Sequence, residues 1–195
     1  YHYDAVEGAR DFMYRRIHDP KWAWVYADMY AIILVRNVQE NRDIINKFQI
    51  TNSNIEEKLK HMLNSKSSQS QIAATDIFNL IGRTDLSIPY YIKYVSQWPS
   101  SGKVWMVLGR TELDKSNRAD SNPLLAAVFL ERAIAEGWKT WESYSYLALA
   151  YYRTGQLDRV KEAVKEELKI DPGNLDGLRW LNIIAETEAK PNSKK

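Results

Sequence analysis

His18 and Asp19 adjoin in the chain, and a histidine beside a carboxylate is the pair from which a general base and its orienting acid are built. Geometry would have to add a nucleophile, and no serine elbow lies nearby, so a surface or turn role is expected. His2 and His61 stand apart from this pair and from each other, with no H-E-x-x-H or comparable ligand spacing. With no cysteine, disulfides, thiolate chemistry and cysteine-held zinc are excluded. Asp28 lies between two apolar runs, where a short carboxylate bonds local backbone in a turn; carbohydrate or metal contact is the other reading. Glu166 and Glu167 are adjacent acids, but a glycosidase needs two acids opposed across a cleft, and these share one helical stretch. Gly155, Gly173 and Gly177 are separated turn glycines without the lysine-serine and strand-to-helix context of a phosphate loop. The residues therefore point to no catalytic residue, no metal and no cofactor in this stretch of chain.

Bulk composition narrows the partners. Twenty-seven basic against 25 acidic side chains give a formal charge of +2, too weak a field to draw nucleic acid or an anionic membrane. A nucleic-acid reading would need Lys103, Arg110, Arg118, Arg153 and Arg179 to converge on one face. No stretch approaches the roughly 18 apolar residues that cross a bilayer, so no direct membrane insertion is expected. The chain starts at Tyr1 without an initiator methionine, which suggests a mature or excised fragment. Apolar residues make up 45% of it, enough to bury one extended array and a small cap. Its tryptophans and tyrosines fall largely at helix starts and along apolar stripes, where large amphipathic rings suit helix interfaces.

Residues 141–174 form a self-contained pair of helices. Tyr144, Leu147, Ala148, Tyr151 and Tyr152 recur at helical spacing, and Gly155 interrupts them where a tight turn is needed. Leu157, Val160, Ala163, Val164 and Leu168 make a second stripe, stopped by Asp171-Pro172-Gly173. Such a hairpin buries one face of each helix and keeps an apolar flank, so it must stack on neighbours. Upstream, Trp105, Leu108 and Gly109 repeat the spacing of Tyr144, Leu147 and Ala148. Asn122 caps the following helix, with Pro123 at its first position and Ala126, Phe129, Leu130, Ala133 and Ile134 as its stripe. Between these two halves lies an enlarged turn, residues 114–121. Ile72, Ala73, Ile77, Phe78, Gly82, Ser87, Tyr91, Tyr94 and Pro99 fit the scheme more loosely, with Pro89 early in the second helix. Downstream, 175–189 supplies one more helix with Leu178, Leu181, Ile184 and Ala185 inward, as a terminal cap.

On Tyr144, Leu147, Ala148, Tyr151, Gly155, Val160, Val164 and Pro172 the chain resembles the tetratricopeptide repeats, over roughly residues 71–189. Two positions depart: Val160 is bulkier than the usual alanine, and Glu167 stands where a small residue is usual, implying a looser helix crossing or a shifted register. The fold expected is mainly α, an array of antiparallel helix hairpins of the TPR type, an α-α superhelix, behind a small N-terminal α+β cap. In that cap, strands 22–27 and 30–36 form a β-hairpin. It needs cover across its apolar face, and the candidates are helices at 5–18, through Val6, Ala9, Phe12 and Met13, and at 38–48, through Ile44, Ile45 and Phe48. Ser53 and Glu56 have capping-box spacing and start a helix to Leu63. The expected domains are the cap at 1–63, a Ser-rich linker at 64–71, the array at 72–190 and a disordered tail at 191–195.

What the resemblance implies about function is a groove lined by first helices that holds a peptide or protein segment. Carried over by register, its lining is Asp76 and Asn79, then Lys103, Met106 and Arg110, then Ser145, Leu149 and Tyr152, with Arg179 and Ile183 extending it onto the last helix. A second resemblance covers residues 22–37: a tryptophan pair, Val25-Tyr26-Ala27-Asp28, and an apolar strand ending at Arg36 and Asn37. It is similar to the extracytoplasmic segment of bacterial polytopic, glycosyltransferase-like membrane proteins. That implies the alternative of an accessory domain beside a parent membrane enzyme's glycan substrate, on the extracytoplasmic face; the cytoplasm is the other address, and the absence of cysteine is compatible with both.

Overall fold

The computed structural model describes residues 7–114 and 121–189, with side chains from Phe12 onward in the first helix. His2, Val6, the side chain of Ala9, Arg118 with the centre of the enlarged turn, and the tail at 191–195 lie outside the described residues. The chain forms two compact units, one up to Trp98 and one from Pro99.

In the first unit, α1 (Glu7–His18) precedes the hairpin of β1 (Trp22–Ala27) and β2 (Ile32–Arg36). The strands are antiparallel, Trp22 opposite Arg36 and Ala27 opposite Ile32, with an irregularity between Trp24 and Tyr26. The slip in register there lets Trp24 be buried while Tyr26, of the same parity, is exposed. Asp28 builds the turn. Its Oδ1 accepts the Tyr30 and Ala31 amides, both at 2.8 Å, and its Oδ2 accepts the Tyr26 hydroxyl at 2.7 Å. Desolvation pushes its pKa up, but these three bonds outweigh it and hold the carboxyl below the ordinary range.

A short 3-10 turn, Gln39–Asn41, leads into α2 (Arg42–Phe48), followed by α3 (Ile55–Leu63), α4 (Ser68–Leu80) and α5 (Thr84–Gln97). Both helices expected as cover, α1 and α2, lie against β1, with Met13 of α1 buried, and Trp24 and Ala27 also share one core with Ile55, Leu59, Met62, Ala73, Ile77 and Phe78 of α3 and α4. Of the residues expected to cover it at 38–48, Ile45 is buried, whereas Ile44 and Phe48 are 44% and 46% exposed. The capping box at Ser53 does not form either. The helix starts at Ile55, and the side chain of Asn54 before it ties the preceding loop, accepting the Thr51 amide at 2.8 Å and donating to the Gln49 carbonyl at 3.0 Å. The helix α4 begins inside the Ser-rich stretch, since the Ser67 hydroxyl accepts the Ser70 amide and caps it.

The second unit is five helices: α6 (Gly102–Asp114), α7 (Pro123–Ala135), α8 (Trp141–Arg153), α9 (Leu157–Ile170) and α10 (Leu175–Ala189). Asn122 and Thr140 cap α7 and α8, accepting the amides of Leu125 and Ser143. Alanines at 126, 133, 148 and 163 let successive helices approach, and Leu130, Leu147, Tyr151, Val160, Val164, Trp180 and Ile184 fill the core between them. Gly82 and Gly155 end the first helices of two hairpins at φ 78° and 73°, a left-handed turn that a Cβ would strain. In both, the following amide reaches five residues back, Arg83 to the Phe78 carbonyl and Gln156 to the Tyr151 carbonyl, each at 2.9 Å.

The inward face of α10 differs from the expected one. Gly177, Trp180 and Ile184 are buried, while Leu178 and Leu181 are 42% and 47% exposed and Ala185 is exposed. The cause lies on α9. Glu167 fills the position where a small residue is usual and is fully buried, so α10 meets α9 with a glycine. A Cβ at Gly177 would come within 2.7 Å of the Leu168 Cδ2 and 3.3 Å of the Glu167 Cδ. The fold is mainly α, helix hairpins in array with an N-terminal cap that contains one two-stranded sheet.

Candidate partner groove

On α8, Ser143, Leu147, Ala148, Ala150 and Tyr151 turn into the core. What remains on the opposite side is Ser145, Leu149 and Tyr152, recurring at i, i+4 and i+7. On α10, Asp176, Arg179, Trp180 and Ile183 make a matching stripe. The two stripes bound a groove of about 300 Å³, lined by Ser145, Tyr146, Leu149, Asp176, Arg179, Trp180 and Ile183. The Tyr152 ring packs on Trp180, centroids 5.4 Å apart. Tyr146 is half-buried, and desolvation pushes its phenol pKa up while the Arg110 guanidinium beside it draws it back. Arg110 of α6 thus reaches the same wall.

Of the residues carried over from the family, Ser145, Leu149, Arg179 and Ile183 meet in this groove, with Tyr152 and Arg110 against its walls. Met106 is in the core of the second unit and does not line the groove. Lys103 is half-buried on α6. Asp76 and Asn79 lie on α4 in the first unit, where Asp76 accepts the Tyr91 hydroxyl at 2.5 Å. Register alone missed Tyr146, Asp176 and Trp180. Tyr146 and Trp180 stand one repeat length apart, and that pairing was the signal in the sequence.

The groove is apolar and aromatic with a charged edge. Arg179 donates to Asp176 at 3.0 Å, and both are exposed, so a partner's carboxylate can replace Asp176 at little cost. Beneath lies Glu167, whose two carboxylate oxygens are buried without a hydrogen-bond partner among the described residues. Burial pushes its pKa up to about 7; the nearby Ser145 hydroxyl pulls it down, and Asp176 and Asp171 push it further up.

The residues considered for chemistry are engaged elsewhere. His18 Nδ1 lies 2.7 Å from the Tyr14 carbonyl, and Asp19 accepts the Lys21 amide at 3.0 Å, so the two side chains form no base-and-acid pair. Among the described residues no group of three or more histidines and acids could hold a metal ion. Arg153 donates to the Leu113 carbonyl and Arg179 pairs with Asp176, so these cations are tied to separate local partners. No described helix is long and apolar enough to cross a membrane.

No protein-family model matches the chain, and no curated protein matches it. Solved structures do. The first TPR of Spaghetti (RPAP3), bound to the HSP90 peptide SRMEEVD, is similar with TM-score 0.56 and 17% identity, over 65% of this chain and 97% of that one. A crystal structure of MamA aligns with TM-score 0.60 and 19% identity, over 80% of this chain and 86% of that one. TTC0263, a thermophilic TPR protein of Thermus thermophilus, aligns with TM-score 0.53 and 15% identity, over 70% of this chain and 72% of that one. At these identities the likeness is one of fold: the chain is built as TPR proteins are. None of these comparisons carries the resemblance of residues 22–37 to glycan-handling membrane proteins, whose Asp28 is here a turn residue.

Proposed function

We propose that this TPR-like chain is a non-catalytic interaction module that takes a peptide or protein segment between α8 and α10. The observation that carries the reading is the groove itself, where Leu149, Trp180 and Ile183 offer an apolar floor beside Arg179. Apolar side chains would seat on that floor, and a carboxylate would pair with Arg179 or Arg110. The peptide held by the RPAP3 repeat supports the reading by analogy of fold. Asp76, Asn79, Lys103 and Met106 are not part of this proposal, since none lines the groove.

A displayed random-peptide library selected on the chain, with the enriched peptides titrated by calorimetry, tests it. Arg110→Ala and Tyr152→Ala should each weaken those peptides several-fold, with circular dichroism unchanged. Peptides that bind both variants as well as the parent would show that the groove is not the site.

A further inference from the structure

The last helix shows a second surface, on the flank turned away from the groove. At about 100° per residue, Leu178, Leu181 and Ala185 fall within about 60° of one another, beyond the buried line of Gly177, Trp180 and Ile184. This flank runs into a cleft between α9 and α10 of about 610 Å³. Leu168, Leu181 and Ile184 floor it, and Lys161, Lys165 and Lys169 line its α9 side. A helix that closes an array carries a polar outer face. Here Leu175, Leu178 and Leu181 are 68%, 42% and 47% exposed, so the outer flank of α10 is apolar.

Charge selects the occupant. The three lysines recur at i, i+4 and i+8, one edge of α9. Lys161 pairs with Glu188 and Asp158, and Lys169 with Glu166, all exposed pairs that exchange readily. Lys165 makes no ion pair among the described residues and is exposed. We propose that the cleft between α9 and α10 docks an amphipathic helix of a partner protein, its apolar stripe on Leu168, Leu181 and Ile184 and its acidic edge along Lys161, Lys165 and Lys169. This is helix-in-groove recognition, with the apolar stripe giving affinity and the acids fixing the direction and side of docking.

Two helical peptides of about 18 residues test this, long enough to run the length of α10. One carries leucines at i, i+3, i+4 and i+7 with glutamates along one edge; its twin has lysines for the glutamates. Titrated by calorimetry into the full chain, the acidic peptide should bind roughly tenfold or more tightly than the basic one. Lys165→Glu should narrow that gap, Leu181→Asp should abolish binding with circular dichroism unchanged, and Tyr152→Ala should leave it intact. Failure of the acidic peptide to bind, or equal binding of the two, overturns the proposal. So does loss of binding in Tyr152→Ala with retention in Leu181→Asp, which would put the peptide in the α8–α10 groove. Self-association of the chain that Leu178→Asp removes also overturns it, since the occupant would then be a second copy.

Discussion

Glu167 is a carboxylic acid with no place for a charge. Its side chain is buried against α10, and burial pushes its pKa up to about 7 from 4.5, so the folded chain keeps the acid protonated over a range of pH where the unfolded chain ionises it. Because the folded value is the higher one, its contribution to stability is complete below about pH 4.5 and is lost as pH rises towards 7. Glu167→Gln keeps the shape and removes the titration. The variant should melt higher than the parent at pH 8, by an amount on the order of 1–2 kcal/mol, and the two should converge at pH 4.5. Thermal melts across that range check it, and parallel curves would show that the acid does not govern them. The sequence marked Glu167 as a departure from the family but read Gly177, its partner in the packing, as a turn glycine. The reason is that a close approach between two helices leaves no periodic trace; it is a property of two positions ten residues apart, visible once they touch. Asp28, by contrast, was legible: flanking strands leave a short acid little to do except bond the backbone between them.

At the scale of elements, α10 shows where periodicity stops informing. Gly177, Trp180 and Ile184 form one helical stripe and Leu178, Leu181 and Ala185 another, and either could have faced α9. The neighbour decided. With Glu167 and Leu168 raised on α9, glycine is the residue that fits beneath, and Trp180 and Ile184 turn inward with it. Gly177→Val would force Leu168 aside, at a cost of about 1–3 kcal/mol. Hydrogen exchange should then rise along α10 and stay unchanged along α6 and α7; an undisturbed α10 would mean that the contact has slack. The helix hairpins themselves were readable because Gly82 and Gly155 punctuate stripes of regular spacing. The burial on α2 was not, since Ile44, Ile45 and Phe48 share one arc of the helix and their spacing does not say that Ile45 alone meets a neighbour.

At the scale of the molecule, each unit has its own apolar core, Trp24 to Ile81 in the first and Met106 to Ile184 in the second. Residues 99–195 expressed alone should therefore give a helical spectrum and a cooperative melt, and a featureless melt would show that this core is insufficient by itself. Composition had indicated the scale of that core, and near-neutral charge the absence of a strong field; where along the chain the two cores divide carries no compositional mark. The hairpins at Gly82 and Gly155 are closed locally, by amides that reach five residues back. In the second unit each helix also rests on the next along the chain. Low contact order of this kind makes the search for the native pairing short, so this unit is expected to refold fast in stopped-flow measurements, with assembly starting in any hairpin and spreading to its neighbours.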